Sequence, residues 1–202
     1  MKIILYNLKF LNSLLYFVII STMKRCRWVD ENSEIYIKYH DVEWGTPKYD
    51  DYELFELLVL ESFQAGLSWL TVLKKREDFR KAFDNFDIQK VARYDDNKVS
   101  ELLSNDKIIR SRGKINAAIN NAKIFIDIQK EFGSFSNYIW GYTSGKIIKN
   151  KDDKFNVSTP LSDKISGDLK KRGMKYVGSV IIYSYLQAVG IVNDHEINCY
   201  KY

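Results

Sequence analysis

The chain has 202 residues, of which 46% are hydrophobic and 14% aromatic, which is enough to bury the core of one compact domain and excludes a disordered chain. The formal net charge of +5 and a pI near 9.0 suit a polyanionic partner such as nucleic acid without requiring one. The only two cysteines, Cys26 and Cys199, lie near opposite ends of the chain, which argues against a disulfide framework and for a reducing, cytoplasmic compartment.

The first 22 residues differ in character from the rest, being apolar, free of acidic residues and followed by Met23. A signal peptide fits the run LLYFVIIST only loosely. A membrane anchor fits less well, because Asn7, Lys9 and Asn12 interrupt the run short of the ~20 apolar residues that a span needs. We therefore expect translation to begin at Met23, so that residues 1–22 lie outside the fold, residues 23–202 form the functional domain, and no part of the protein enters a membrane.

From Met23 onward apolar residues recur mainly at helical spacing, and alternating runs typical of strands are few, so the predicted fold is all-α. The first long helix follows the capping residues Asp50 and Asp51 and ends before Gly66. A second covers residues 68–83 and turns the basic run 74–76 outward.

Four more helices are predicted further along the chain, at residues 97–103, 114–132, 162–172 and 179–189. Residues 141–159 are rich in Lys, Asn and Ser and are predicted to form an exposed connection. No boundary between independent domains is evident.

All cysteines and histidines of the chain fall into two pairs, Cys26 with His40 and His195 with Cys199. The spacing of four in the second pair places both side chains on one face of a helical turn. Two thiolates and two imidazoles make a tetrahedral zinc set with no open position, so the pattern predicts one structural zinc per chain that joins the two ends of the domain. Ordinary buried Cys and His residues are the alternative, and the absence of any other Cys or His favours zinc.

Aromatic residues gather in the first part of the domain, at Trp28, Tyr36, Tyr39, Trp44 and Trp69. Aromatic faces are what a site needs in order to hold an unstacked nucleic-acid base. Core packing is the competing explanation for each residue taken alone.

Glu61 stands out on the first long helix. It follows Leu57 by four positions and Leu58 by three, so a carboxylate occupies an otherwise apolar face. A buried carboxylate must meet a partner, become protonated or face a ligand cavity. The pattern leaves a structural salt bridge and a ligand site equally open.

The run LKKRGMKYVGSVIIYSYLQAVG predicts a helix, a tight turn between Gly173 and Gly178, and a second helix. Glycines let the backbone approach a ligand closely, and the amide hydrogens that begin the second helix suit an anion. Lys170, Lys171 and Lys175, together with Arg172, add positive charge. The run is a helix-hairpin-helix candidate for sequence-independent DNA binding, although glycine-capped hairpins also occur in plain helical bundles.

The segments MKRCRWV, YHDVEWGTP, LESFQAGLSWLTVLKKRE, IIRSRGKINAAINNA, LKKRGMKYVG and VNDHEINC closely resemble the constitutive, type I family of DNA-3-methyladenine glycosylases. The resemblance runs from Met23 to the end of the chain. It implies a helix-hairpin-helix glycosylase fold, a zinc held by the four Cys and His residues, and a monomer that acts on double-stranded DNA containing alkylated bases. The implied lesion pocket consists of Tyr36, Tyr39, Trp44, Glu61 and Trp69, with Trp28 nearby.

The chemistry implied by this resemblance is hydrolysis of a glycosidic bond in a flipped-out nucleotide. Methylation at N3 gives adenine a positive charge, so the base leaves as a neutral molecule and needs little general-acid assistance. The enzyme then has to stack the base on aromatic side chains and offer Glu61, the candidate catalytic residue, to the adenine edge. Related hairpin glycosylases stabilise the sugar cation with an aspartate; the nearest one here is Asp194, and the resemblance implies that this family does without it.

Two other functions also fit the residues. A non-enzymatic DNA-binding module would use the hairpin and the zinc for architecture alone, and would bind DNA without releasing bases. A zinc hydrolase would need one of the four ligands to leave the metal, with Glu61 as a base beside a metal-bound water.

Overall fold

The computed structural model describes residues 23–151 and 156–202, and almost all of its regular structure is helical. The helices are α1 (Glu34–Lys38), α2 (Asp51–Gln64), α3 (Trp69–Ala82), α4 (Ile88–Val91), α5 (Asp96–Ser104), α6 (Arg112–Phe132), α7 (Phe135–Gly141), α8 (Pro160–Lys171) and α9 (Ser179–Ala188). A π-helical turn (Tyr39–Glu43) continues α1, and a 3-10 turn (Asp84–Phe86) precedes α4. Strands β1 (Ile148–Lys149) and β2 (Val192–Asn193) form one short parallel pair. The predicted extension, residues 1–22, lies outside the described residues.

The predicted all-α class is confirmed, and the six predicted helices correspond to α2, α3, α5, α6, α8 and α9 with ends that agree within two residues. Local capping explains this agreement. The Asp50 carboxylate accepts hydrogen bonds from the first amides of α2, and the Ser68 hydroxyl caps α3. Thr159 and Ser162 form a reciprocal capping box at the start of α8.

Helix α2 runs through the centre of the molecule, packed against α3, α6, α7 and α9. Every residue from Leu54 to Phe63 is buried, so the helix is enclosed on all sides rather than along one stripe. Removing a Phe or Leu side chain from water stabilises the fold by about 1.5–3 kcal/mol, and α2 contributes six such residues with no exposed surface. A carboxylate on this helix therefore lies in the core of the domain.

The basic run on α3 was predicted to face solvent, and for Arg76 this prediction is wrong. The Arg76 side chain is only 13% exposed, because the π-helical turn and α2 cover it. Its guanidinium donates to both carboxylate oxygens of Glu43 at 2.7 Å and to Glu56 at 2.6 Å. Arg76 thus ties the π-helical turn to two of the core helices.

Helices α8 and α9 form the predicted hairpin, with Gly173 and Gly178 at the two ends of its turn. Gly173 has a φ of +96°, in the left-handed region that favours glycine, and Gly178 is the N-cap of α9. Two asparagines of α6 hold the turn: Asn120 donates to the Gly173 carbonyl, and Asn121 to the Lys175 carbonyl. Among the described residues, no helix is both long enough and apolar enough to cross a membrane.

Candidate functional site

A cavity of about 480 Å³ lies between the first residues of the domain, α2, the start of α3 and one face of α9. Its lining includes every residue that was predicted to form the lesion pocket, namely Trp28, Tyr36, Tyr39, Trp44, Glu61 and Trp69. These residues come from four separate parts of the chain, and the fold brings them to one place. A cavity of this size can hold a single planar base.

The aromatic side chains of the cavity pack edge to face. The Trp28 ring lies across Trp44 and Tyr36, with centroid distances of 5.0 and 5.6 Å. The Tyr39 ring also meets Trp28 edge to face, at 6.3 Å, and makes a tilted contact with the Trp69 ring at 5.4 Å. Edge-to-face contacts hold each ring in one orientation, so the walls are rigid before a ligand enters.

Glu61 reaches this cavity from the buried centre of α2. The residue is only 3% exposed, and among the described residues its Oε2 atom has no hydrogen-bond partner. Burial raises the pKa of the Glu61 carboxyl to about 8, since no positive charge compensates the ionised form. Residues 23–151 and 156–202 therefore offer Glu61 no salt bridge, and the carboxyl group is available to a ligand.

The far wall of the cavity is a face of α9 that the sequence analysis did not assign to the site. It consists of Val180, Tyr183, Ser184 and Gln187. Their spacing of three, four and seven positions places them on one side of a helix, so helical periodicity could have indicated a shared surface.

Asp194 also lines the cavity, and its carboxylate is held by two amide groups. Asn150 donates to one oxygen and Gln187 to the other, each at 2.6 Å. The parallel pairing of β1 with β2 brings Asn150 beside Asp194. These contacts fix the end of the chain against α9 and the wall of the cavity.

Three of the four predicted zinc ligands converge next to this cavity. The ligand atoms of Cys26, His40 and Cys199 all lie within 4.8 Å of one another, and all three residues are buried. The fourth, His195, lies beside this group, with its ring centroid 5.2 Å from that of His40. The two ends of the domain meet here, as the metal hypothesis requires.

One ring nitrogen of each histidine is held by a hydrogen bond, which orients the other ring nitrogen. His40 Nδ1 lies 2.8 Å from the Asp41 carboxylate, which leaves Nε2 facing the cysteines. His195 Nδ1 lies 2.9 Å from Asn193 Oδ1, and its buried Nε2 has no hydrogen-bond partner within the described ranges. Burial lowers the pKa of His195 to about 3, so its imidazole is neutral, which is the form that binds a metal.

The hairpin presents its lysines to solvent. Lys170, Lys171 and Lys175 are all exposed, and none forms an ion pair within the part of the chain that the structure describes. Arg172 behaves differently, because its guanidinium binds Glu131 and Asp168. The positive charge that Arg172 adds to this segment is therefore compensated within the protein.

A helical domain whose rigid aromatic cavity contains an uncompensated buried carboxyl group is a protein built to bind a planar, hydrogen-bonding base. Comparison with known proteins gives this class a family. The model of the methyladenine glycosylase family matches residues 28–202, and the chain belongs to that family.

Characterised relatives cover nearly the whole chain. DNA-3-methyladenine glycosylase 1 of Escherichia coli (strain K12) is 44% identical over 183 residues, which are 89% of this chain and 97% of the relative. A crystal structure of 3-methyladenine DNA glycosylase I superposes with a TM-score of 0.84 at 46% identity, covering 88% of this chain and 98% of that one. A tyrosine-to-phenylalanine variant of such an enzyme, solved in complex with 3-methyladenine, has a TM-score of 0.83 at 36% identity and covers 89% of this chain and 97% of its own.

Proposed function

We propose that the protein is a DNA repair glycosylase that hydrolyses the bond between 3-methyladenine and deoxyribose in alkylated double-stranded DNA. The observation that carries this proposal is the Glu61 carboxyl group, whose Oε2 atom has no hydrogen-bond partner among the residues described, inside a cavity walled by aromatic rings. A flipped-out base needs stacking surfaces and a hydrogen-bond partner for its polar edge, and this cavity supplies both.

The charge of Glu61 suits a cationic base in particular. A carboxyl group with a pKa near 8 is mostly protonated at neutral pH in the free protein. A positively charged ligand within a few ångströms favours the ionised form, so binding of N3-methylated deoxyadenosine shifts Glu61 towards the carboxylate. The site thus gains an attraction for the alkylated base that it lacks for neutral adenine.

The reaction needs little else from the protein. The glycosidic C–N bond breaks, its electron pair stays on the base, and the base leaves as a neutral molecule. Water then adds to the sugar carbon and loses a proton. The aromatic walls and Glu61 hold the base in the flipped-out position. In that position the protein can stabilise the charges that develop on the base and the sugar as the glycosidic bond breaks.

We further propose that Cys26, His40, His195 and Cys199 hold one structural zinc ion. The distance of 3.4 Å between Cys199 Sγ and His40 Nε2 is close to the ~3.5 Å that separates S and N ligands on a tetrahedral zinc. The amide hydrogens of Glu196 and Lys201 point at the two sulfur atoms, at 3.5 and 3.4 Å, and would stabilise thiolates. Four protein ligands leave no position for a reactive water, which argues against the zinc hydrolase alternative.

The helix-hairpin-helix assignment belongs to the same proposal. The exposed Lys170, Lys171 and Lys175, with the backbone around Gly173 and Gly178, bind phosphates of one strand without reading bases. A monomer is sufficient, since cavity, hairpin and metal ligands all come from one chain.

The deciding experiment measures base release. The full chain is incubated with methylated and unmethylated DNA, and the released bases are identified by chromatography. We expect 3-methyladenine from the methylated DNA alone. DNA binding without any released base would contradict the proposal and favour the non-enzymatic binding module.

A further inference from the structure

The start of α6 presents two arginines that neither the cavity nor the hairpin uses. Arg110 and Arg112 are exposed, and within residues 23–151 and 156–202 their side chains form no ion pair or hydrogen bond. Arg76 and Arg172, by contrast, are each bound to two carboxylates. A free guanidinium matches the geometry of a phosphate group.

This end of α6 is attached to the rim of the cavity. The Lys114 ammonium group donates to the Phe63 carbonyl at 2.8 Å and to the Ala65 carbonyl at 2.6 Å. Those carbonyls belong to the last turn of α2 and the residue that follows it, only a few positions after Glu61. Because Lys114 lies two residues after Arg112, the position of the arginines is coupled to that of the cavity.

The same helix is also attached to the hairpin turn. The buried Asn121 donates to the Lys175 carbonyl at 2.8 Å and accepts from the Lys175 amide at 2.9 Å. A Cβ atom at Gly113 would lie 3.0 Å from the Tyr176 hydroxyl, so glycine allows α6 and the turn to approach closely. A cleft of about 450 Å³ runs between the two, lined in part by Gly113, Asn116 and Lys175.

Tyr176, in the hairpin turn, has an unusual backbone conformation on this surface. Its φ of +54° places a non-glycine residue in the left-handed region, and its side chain is 41% exposed. The Ser62 hydroxyl, whose shorter hydrogen bond goes to the Leu58 carbonyl at 2.8 Å, also lies 3.2 Å from the Tyr176 carbonyl.

We propose that Arg110 and Arg112 are a second phosphate-binding site for the DNA duplex, separate from the hairpin lysines and joined to them through Asn121 and Lys175. This inference rests on the proposed function, because it takes as partner the duplex whose base enters the cavity. Two sets of phosphate contacts on one rigid frame fix the position of the duplex relative to Glu61 without reading its sequence.

The test is the salt dependence of binding to duplex DNA that contains a tetrahydrofuran abasic site, which cannot be cleaved by a glycosylase. The slope of log K against log[KCl] is negative, and each lost phosphate contact reduces its magnitude by about 0.9, so Arg110→Ala/Arg112→Ala should reduce the magnitude by about 1.8. The matched control, Lys81→Ala/Lys90→Ala, removes the same charge from exposed positions at the far end of α3 and on α4. It should leave the slope within 0.5 of the wild-type value, a margin of about half of one contact.

Two further readouts separate this inference from the proposed function. Binding of free 3-methyladenine should be the same for wild type and Arg110→Ala/Arg112→Ala, because the free base has no phosphate group for the arginines to bind. An unchanged slope, or an equal decrease in the control, would overturn the second phosphate site while wild-type base release still supports the glycosylase. Failure of the wild type to release 3-methyladenine would instead overturn the proposed function. Equal melting temperatures of the variants confirm that each is folded.

Discussion

The Sγ atom of Cys199 lies 3.4 Å from the Nε2 atom of His40, although 159 positions separate the two residues in sequence. This contact joins the first turns of the domain to its last residues. The same His40 ring lies 6.2 Å from Trp44 and 5.5 Å from Trp28, both of which line the cavity. The junction of the chain ends therefore supports one aromatic wall of the site.

From this junction we predict one zinc ion per chain by metal analysis of the purified protein. Cys199→Ser should lower zinc content and melting temperature together, since the metal would no longer fasten the two ends. Asn198→Ser, at the exposed neighbouring position, is the control and should change neither. Zinc-free protein with the melting temperature of the metal-bound form would show that the cluster is held by packing alone.

A second prediction concerns the ion pairs that Arg76 forms with Glu43 of the π-helical turn and with Glu56 of α2. Arg76→Met keeps the bulk of the side chain but leaves Glu43 and Glu56 partly buried without this cation. The loss of one partner of a largely buried network should reduce the free energy of unfolding by about 3 kcal/mol. Arg80→Met, at a position where the side chain is 34% exposed, should cost about 1 kcal/mol or less. Equal effects in chemical denaturation would contradict the assigned role of Arg76.

The contrast between Arg76 and the pocket residues shows how far sequence reasoning reaches. The capping residues Asp50, Ser68 and Thr159 act within a few positions, so helix ends were predictable. Arg76 was assigned to solvent because helical periodicity takes account of one helix only. The π-helical turn that covers it comes from a segment more than thirty positions earlier.

The site was predictable where residue chemistry is unusual for its position. Glu61 was identifiable because it places a carboxylate on an apolar helical face. Trp28, Trp44 and Trp69 were identifiable because they belong to a cluster of aromatic residues. Nothing in the sequence distinguishes Gln187 and Asn150 as site residues, since polar residues are common on a partly exposed helix or connection. Their role depends on the tertiary pairing of β1 with β2, which two-residue strands do not reveal in sequence.

The third prediction tests the hairpin. Lys170→Glu should weaken binding to DNA of every sequence to a similar extent and flatten the salt dependence, because phosphate contacts position the duplex without reading it. The magnitude of the negative slope of log K against log[KCl] should decrease by about 1. Lys81→Glu, a charge reversal at the distant end of α3, is the control. A loss confined to particular DNA sequences would argue against phosphate binding by the hairpin.

The fourth prediction concerns Glu61→Gln, which keeps the size of the side chain but replaces two acceptor oxygens by one acceptor and one donor. Excision of 3-methyladenine should fall roughly 10- to 100-fold, the cost of losing a hydrogen bond to a charged group. Free 3-methyladenine should also bind more weakly, whereas zinc content should stay the same. Unmethylated adenine should be spared by both proteins, since a neutral base is a poor leaving group and gains no charge attraction from the Glu61 carboxylate.

The pH dependence of stability distinguishes this role from a purely structural one. The pKa of Glu61 is about 8 in the folded protein against an ordinary value of 4.5, so folding favours the protonated form. Its contribution to stability is complete below pH 4.5 and is lost as the pH rises towards 8, because the unfolded chain gives up the proton first. Glu61→Gln cannot ionise, so its free energy of unfolding should decline less than that of the wild type between pH 5 and pH 9. Denaturation curves at both pH values, run beside base-release assays, measure the two effects together. Wild-type excision by a variant with a much lower melting temperature would make Glu61 a buried structural group and not a ligand of the base.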